Sequence, residues 1–358
     1  MNTGPIAHSN GSGSGSTASL LRLPQRGRGR MSEFNAMLFE QERDEFCQRI
    51  IQINSTLDFK ISARGWGYIL EGKGMVTKAD FDRLADLIND CRRSGQLPLD
   101  ICADDKKRQA NCLESVHDDD VSTQAEAIIY YVNNAHSNYR PFSFWEYQDN
   151  YVQMSVEKID LKSLFTVVCQ EFHVPIVNNA GWSDINSRAA MALRFKEKEE
   201  EGKQSVLLYC GDHDPAGLII SDFIRDNFEQ ISGATGWHPK NLIIDRFGLN
   251  YEFIKDNHLS WIDNLKTGKT KPPNDLADED HPDHYKDYVQ NYIATYRARK
   301  CEANALVIRP EAGRKLCRES ICKYLDPEGI GKWDRDTRLK RAELKHEIAR
   351  QLAEGESE

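Results

Sequence analysis

No apolar run in this 358-residue chain approaches the roughly 18–20 residues that a bilayer-spanning helix needs. The first residues also lack the apolar core of a signal peptide. A cytoplasmic or nucleoid-associated protein is expected, and no membrane partner. The nine cysteines include no C-x-x-C pair and are odd in number. That argues against a zinc knuckle or a disulfide framework and for buried, reduced thiols. No G-x-x-x-x-G-K-[ST] loop is present, which excludes P-loop ATP chemistry. Nor is there an excess of positive charge: 47 Lys and Arg against 56 Asp and Glu leave a net −9. A wholly basic nucleic-acid binder is excluded, but local basic faces are not, since phosphates need positive potential only along the strand's path.

What is present suits two domains plus tails, with 39% hydrophobic and 29% charged residues in a chain longer than one usual domain. Residues 1–30, Gly/Ser-rich with four arginines and no acid, read as a basic tail; Met31 is a candidate internal start. Residues 31–145 carry mainly helical signals. Ser62 is a plausible N-cap for "ISARGWGYILEG", which stops at Gly72. Thr77 opens a segment with Phe81, Leu84, Ala85, Ile88 and Cys91 on one face, stopped by Gly95. The two helices and the extended "QLPLDIC" after them form a helix-turn-helix with a wing. A further helix is expected from Thr123, with Glu126 completing a capping box.

From about residue 146 the rhythm changes. Strands are expected at 151–156, 174–177, 205–210 and 241–245. Helices are expected between them at 159–172, 184–199 and 217–231, the last with Ile220, Phe223, Ile224, Phe228 and Ile231 inward. Such alternation predicts an α/β fold with a mostly parallel sheet covered on both faces. Residues 266–284 read as an exposed loop, where His281 and His284 of "HPDH" lack a third zinc ligand. Residues 331–358 read as a charged helix or tail.

In open parallel sheets, ligands bind beyond the carboxyl ends of the strands. Glu157 directly follows the first strand, and Asp212 and Asp214 follow the third, flanking His213 in "CGDHDPAG". Residues i and i+2 of an extended turn point the same way, so both aspartates can face one site while His213 turns to the structural side. Converging carboxylates raise one another's pKa unless a cation intervenes, and Mg²⁺ suits such hard oxygens. The plainer reading is an aspartate turn capping the next helix. Lys158 is either a phosphate contact or a solvated lysine.

"VEK" (156–158), "GWSD" (181–184) and "YCGDHDPAG" (209–217), in that order, resemble the Toprim domain of topoisomerases, primases and related nucleases. The pattern looks closest to the topoisomerase VI A subunit and its meiotic double-strand-break relatives, including small phage and plasmid versions. The resemblance covers roughly residues 45–325. It implies a winged-helix (CAP-like) DNA-binding domain over 31–145, a Toprim-like catalytic domain over 146–330, and a homodimer acting on double-stranded DNA. It also implies Mg²⁺ on Glu157, Asp212 and Asp214. "SARGWGYIL" offers Arg64 and Tyr68 at the spacing of the family's Arg and nucleophilic Tyr, although Gly67 stands where the family has an aromatic. "KCEANAL" puts Glu302 in place as an accessory acid, and Ser183 resembles a family turn residue.

The implied chemistry is DNA cleavage by Tyr68 through a 5′-phosphotyrosyl link, with Arg64 lowering the phenol's pKa or holding the phosphate. Strand passage would need a separate ATPase subunit. A hydrolytic Toprim endonuclease is the alternative, and a non-catalytic DNA-binding scaffold the second. Arg92, Arg93, Lys106, Lys107, Arg108 and Lys158 are the candidate DNA contacts.

Overall fold

Four short strands pair into one all-parallel sheet of order β2-β1-β3-β4: β1 (Asn150–Val156), β2 (Ile176–Asn178), β3 (Gln204–Cys210) and β4 (Ile243–Gly248). They belong to a computed structural model that describes residues 23–25, 31–103, 119–178, 184–268 and 271–355. β1 and β3 are buried along nearly their whole length, as strands covered on both faces must be. They run in register from Asn150 opposite Gln204 to Val156 opposite Cys210. Both therefore end at the same level.

The helices, in chain order, are α1 (Glu33–Asn54), α2 (Ala63–Gly72), α3 (Phe81–Arg93), α4 (Val121–Asn134), α5 (Ile159–Glu171), α6 (Ile185–Glu200), α7 (Pro215–Leu218), α8 (Ile220–Glu229), α9 (Ser232–Thr235), α10 (Tyr251–Asp256), α11 (Asp287–Tyr296), α12 (Pro310–Cys322) and α13 (Pro327–Gly355). α5 and α12 pack together, touching β1 and β4, while α6 and α8 pack together against β1, β3 and β4. The chain is thus α/β with an all-parallel sheet.

The N-terminal helices follow their sequence signals closely. Ser62 caps α2 by accepting from Gly65 N at 3.0 Å, and Thr77 opens the turn before α3 with a capping box to Asp80. Phe81, Leu84, Ile88 and Cys91 are buried as expected, and Ala85 is half-buried. One continuous apolar core joins α1–α3 to the sheet. At their junction, Asp160 of α5 accepts from the Ser62 hydroxyl at 2.7 Å, so the sheet layer anchors the start of α2.

Other expectations are corrected. Residues 96–102 form no wing: Leu99–Ile101 is a single 3-10 turn, and the described residues of 31–145 contain no strand. Asp120, not Thr123, caps α4, because its carboxylate accepts the Thr123 N–H at 3.0 Å. The helix expected over 217–231 starts at Pro215 and breaks after Leu218. Phe223 is 51% exposed rather than inward. α13 is no wholly solvated charged helix: Thr337 is buried, and Trp333 packs edge-on against Phe144 with centroids 5.4 Å apart. Within the tail, Leu23 is buried and its carbonyl accepts from Arg83. His281 is buried rather than at the surface of its loop, and its Nδ1 accepts from Asp283 N at 3.1 Å. The eight described cysteines are free, seven of them buried. No helix among the described residues is long and apolar enough to cross a membrane.

Candidate functional site at the tips of β1 and β3

The sheet order places a topological switch between β1 and β3: the chain leaves β1 toward β2 on one side and later returns to β3 on the other. A crevice opens at such a point, beyond the strands' carboxyl ends. Glu157 and Asp212 stand there. Glu157 N donates to Cys210 O at 3.1 Å, extending the ladder by one residue, and Glu157 Oε2 accepts from Asp212 N at 3.0 Å. A Cβ at position 211 would lie 2.8 Å from Glu157 Oε2, so only glycine lets this carboxylate lie over the turn.

The acids meet on a cation of the protein's own. Lys158 Nζ lies 2.7 Å from Glu157 Oε1 and 3.0 Å from Asp212 Oδ2, with side chains 28%, 25% and 11% exposed respectively. Asp212 Oδ1 accepts from Ala303 N at 2.7 Å. Burial pushes the Asp212 carboxyl up to about 7, against the pull of Lys158. Burial acts the same way on Glu157, but there Lys158 and the Asp212 N–H outweigh it and hold the carboxyl below its usual value. Lys158 is raised despite its own burial, because two carboxylates face it. The opposite shifts of Asp212 and Glu157 beside one ammonium follow from depth, since Asp212 is the more buried carboxyl.

Asp214 serves a different local role. Its Oδ1 accepts from Gly217 N at 2.6 Å, capping α7, as the plainer sequence reading held. It nevertheless lines the same cavity as Glu157, about 270 Å³ in volume. The three acids are therefore neighbours but do not surround one point. Among the described residues, no group of three or more His, Cys, Asp or Glu side chains is arranged to hold a metal ion. The donor chemistry still fits Mg²⁺, because two hard carboxylates already share one cation and Mg²⁺ commonly takes only one or two from protein.

Glu302 is held at a second cluster. It receives Arg64 through Nε at 3.1 Å and Nη2 at 3.2 Å, and the Tyr68 hydroxyl at 2.8 Å. Tyr68 is fully buried in its own chain, against the ring of Phe81. Burial and then the Glu302 charge push its phenol well above its ordinary value. Arg64 pulls the phenol down as expected, but burial and Glu302 outweigh it, and its guanidinium is paired with Glu302 and Asp82. The two clusters adjoin, because the residue after Glu302 binds Asp212 and Cys301 bridges His213 in antiparallel fashion.

His213 is buried, as its alternation in the turn implies, with Nδ1 3.0 Å from Leu249 O and its ring among Trp261, Tyr292 and Tyr296. Burial lowers it to about 4, so it is neutral at pH 7. Arg92 donates to Leu99 O at 2.8 Å, and Arg93, with its side chain 74% exposed, pairs with Asp90 at the surface. Lys106, Lys107, Arg108 and Ser183 lie outside the described residues.

Two contributors escaped the sequence reading. Arg246 of β4 donates to Asp212 O at 3.0 Å, Gly217 O at 2.7 Å and Leu249 O at 2.9 Å, and so braces the acidic turn. A charged Asp245-Arg246 pair inside a strand of a parallel sheet is its signal in the sequence. Tyr209 places its hydroxyl 3.5 Å from Glu157 Oε2; nothing in the sequence distinguishes it from a core tyrosine.

Comparison of the chain with protein-family models, with curated proteins and with solved structures finds no match.

Proposed function

We propose that the chain cleaves DNA strands with the help of Mg²⁺ in a Toprim-like domain, and that water rather than tyrosine is its attacking group. The observation that carries this is the pair of carboxylates from adjacent strand tips, Glu157 and Asp212, sharing one cation at the β1/β3 switch point. Glu157 and Asp212 would hold the ion, with Asp214 beside them on the cavity wall. Bound there, Mg²⁺ would stabilise charge on the scissile phosphate and on the leaving oxygen. Lys158, freed from the carboxylates, would then face the phosphate. Arg246 keeps the turn in place throughout.

Hydrolysis ranks first because Tyr68 is wholly enclosed and its proton is held on Glu302. Transesterification remains the second reading, favoured by one specific arrangement: a phenol donating to a carboxylate one residue from the amide that binds Asp212. It requires α2 to open. DNA binding through α2 and α3, a homodimer and an ATPase partner belong to the same proposal.

End-labelled duplex with Mg²⁺, quenched in detergent, separates these routes. Free cut ends that persist in Tyr68→Phe and vanish in Asp212→Asn support hydrolysis. Label that stays with protein, and is lost in Tyr68→Phe, supports the tyrosine route. DNA left intact at every Mg²⁺ concentration, single strand and duplex alike, defeats both.

A further inference from the structure

The cavity beside the acids has a mixed lining: Glu157 and Asp214, with Tyr209, Ala216 of α7, and Ile220, Phe223 and Asn227 of α8. A singly exposed phenylalanine is ordinary on a protein surface. This one is 51% exposed although its helix turns Ile224 and Phe228 fully into the core. Its ring borders a concavity that also opens on the carboxylates. A ligand filling that space must offer a flat apolar face to the ring. It must also carry a group that a cation can join to carboxylates.

A nucleotide meets both demands: a base has a π-face for an aromatic ring, and its phosphate is the natural partner of a carboxylate-bound cation. The volume, about 270 Å³, lies below that of pockets enclosing drug-sized ligands and suits one base rather than a stacked pair. Phe223 offers no hydrogen bond, so stacking on it is tolerant of sequence. We infer that the site receives DNA with one unpaired, unstacked nucleotide, whose base lies against Phe223 while its phosphate faces Glu157 and Asp214. This rests on the phosphodiester reading above and narrows its substrate from any duplex to single-stranded or locally opened DNA.

The test uses the full chain and fluorescently labelled oligomers with cleavage-resistant phosphorothioate linkages, in Mg²⁺, read by anisotropy. One oligomer is oligothymidylate; the other has the same backbone with every base removed. Stacking of one base predicts that the wild type prefers the base-bearing strand roughly five- to a hundred-fold. Phe223→Ala is expected to lose most of that preference, and Phe223→Trp to keep it. Circular-dichroism melting checks that both variants are folded. Equal binding of the two oligomers by the wild type, or an undiminished preference in Phe223→Ala, overturns the inference.

A separate assay on unmodified DNA keeps the two readings apart. A preference lost in Phe223→Ala without any cleavage by the wild type upholds the base site and defeats the nuclease. Asp212-dependent cleavage with a preference indifferent to Phe223 does the reverse.

Discussion

Replacing Lys158 with methionine removes the cation from between Glu157 and Asp212 while keeping most of the side chain's bulk. Its ammonium lies 2.7 and 3.0 Å from the two carboxylates. At an effective dielectric constant of about 20, each contact is worth roughly 5 kcal/mol of Coulomb energy, most of which offsets the desolvation of three charged groups. Breaking a fully buried pair costs about 3–5 kcal/mol. Since these side chains keep up to 28% exposure, the expected loss at pH 7 is about 2–4 kcal/mol.

The loss must depend on pH. Asp212 is raised to about 7 in the fold, above its unfolded value, so its ionisation opposes folding as pH climbs from the usual carboxylate range to about 7. Without Lys158 its folded value rises further. Glu157, held below its usual value by Lys158, keeps part of the deficit near pH 4. The deficit of Lys158→Met should therefore be smallest below the carboxylate range and grow toward pH 7. Mg²⁺ should then substitute for the missing ammonium: 10 mM ion at a Kd of order 1 mM returns about 1.4 kcal/mol. The wild type, whose lysine competes, should respond less. Urea denaturation at several pH values, with and without Mg²⁺, measures all of this. A variant as stable as the wild type at pH 7, or a deficit that Mg²⁺ does not reduce, would refute the claim that this crevice is a cation site.

Two further outcomes follow from packing and from linkage. A Cβ at Gly67 would meet the Phe81 ring at 2.8 Å, so Gly67→Ala should cost about 1–3 kcal/mol in thermal melting even though alanine is the better helix former. His213 is neutral and held near 4, below its unfolded value; the unfolded chain binds the extra proton first, so stability falls as pH drops from about 6.5 to about 4. His213→Gln should flatten that part of the urea stability profile while costing stability at pH 7. An unchanged slope would show that the ring's burial is not what sets its charge.

The agreement between sequence and structure is uneven for physical reasons. Ser62 and Thr77 cap their helices as expected because a cap is satisfied within four residues. The wing over 96–102 failed because an extended segment needs a partner strand, and the described part of that region offers none. Gly67 has a local cause that only packing displays: the Phe81 ring occupies the space that a larger side chain would need.

The sequence by itself determined the acidic strand ends, since hydrophobic runs, an abrupt Gly-Asp turn and the position of Glu157 are local facts. It also determined that His213 turns away from Asp212 and Asp214, because alternation in an extended turn is geometric. Tertiary structure alone decided that β1 and β3 are neighbours, which brings Glu157 to Asp212, and that Lys158 fills the gap. It decided, too, that Tyr68 faces Glu302 inside the core while Phe223 faces solvent beside the acids. A side chain's direction around a helix follows from which distant element covers that face, and its charge state from which distant groups replace its water. Neither is carried by spacing along the chain.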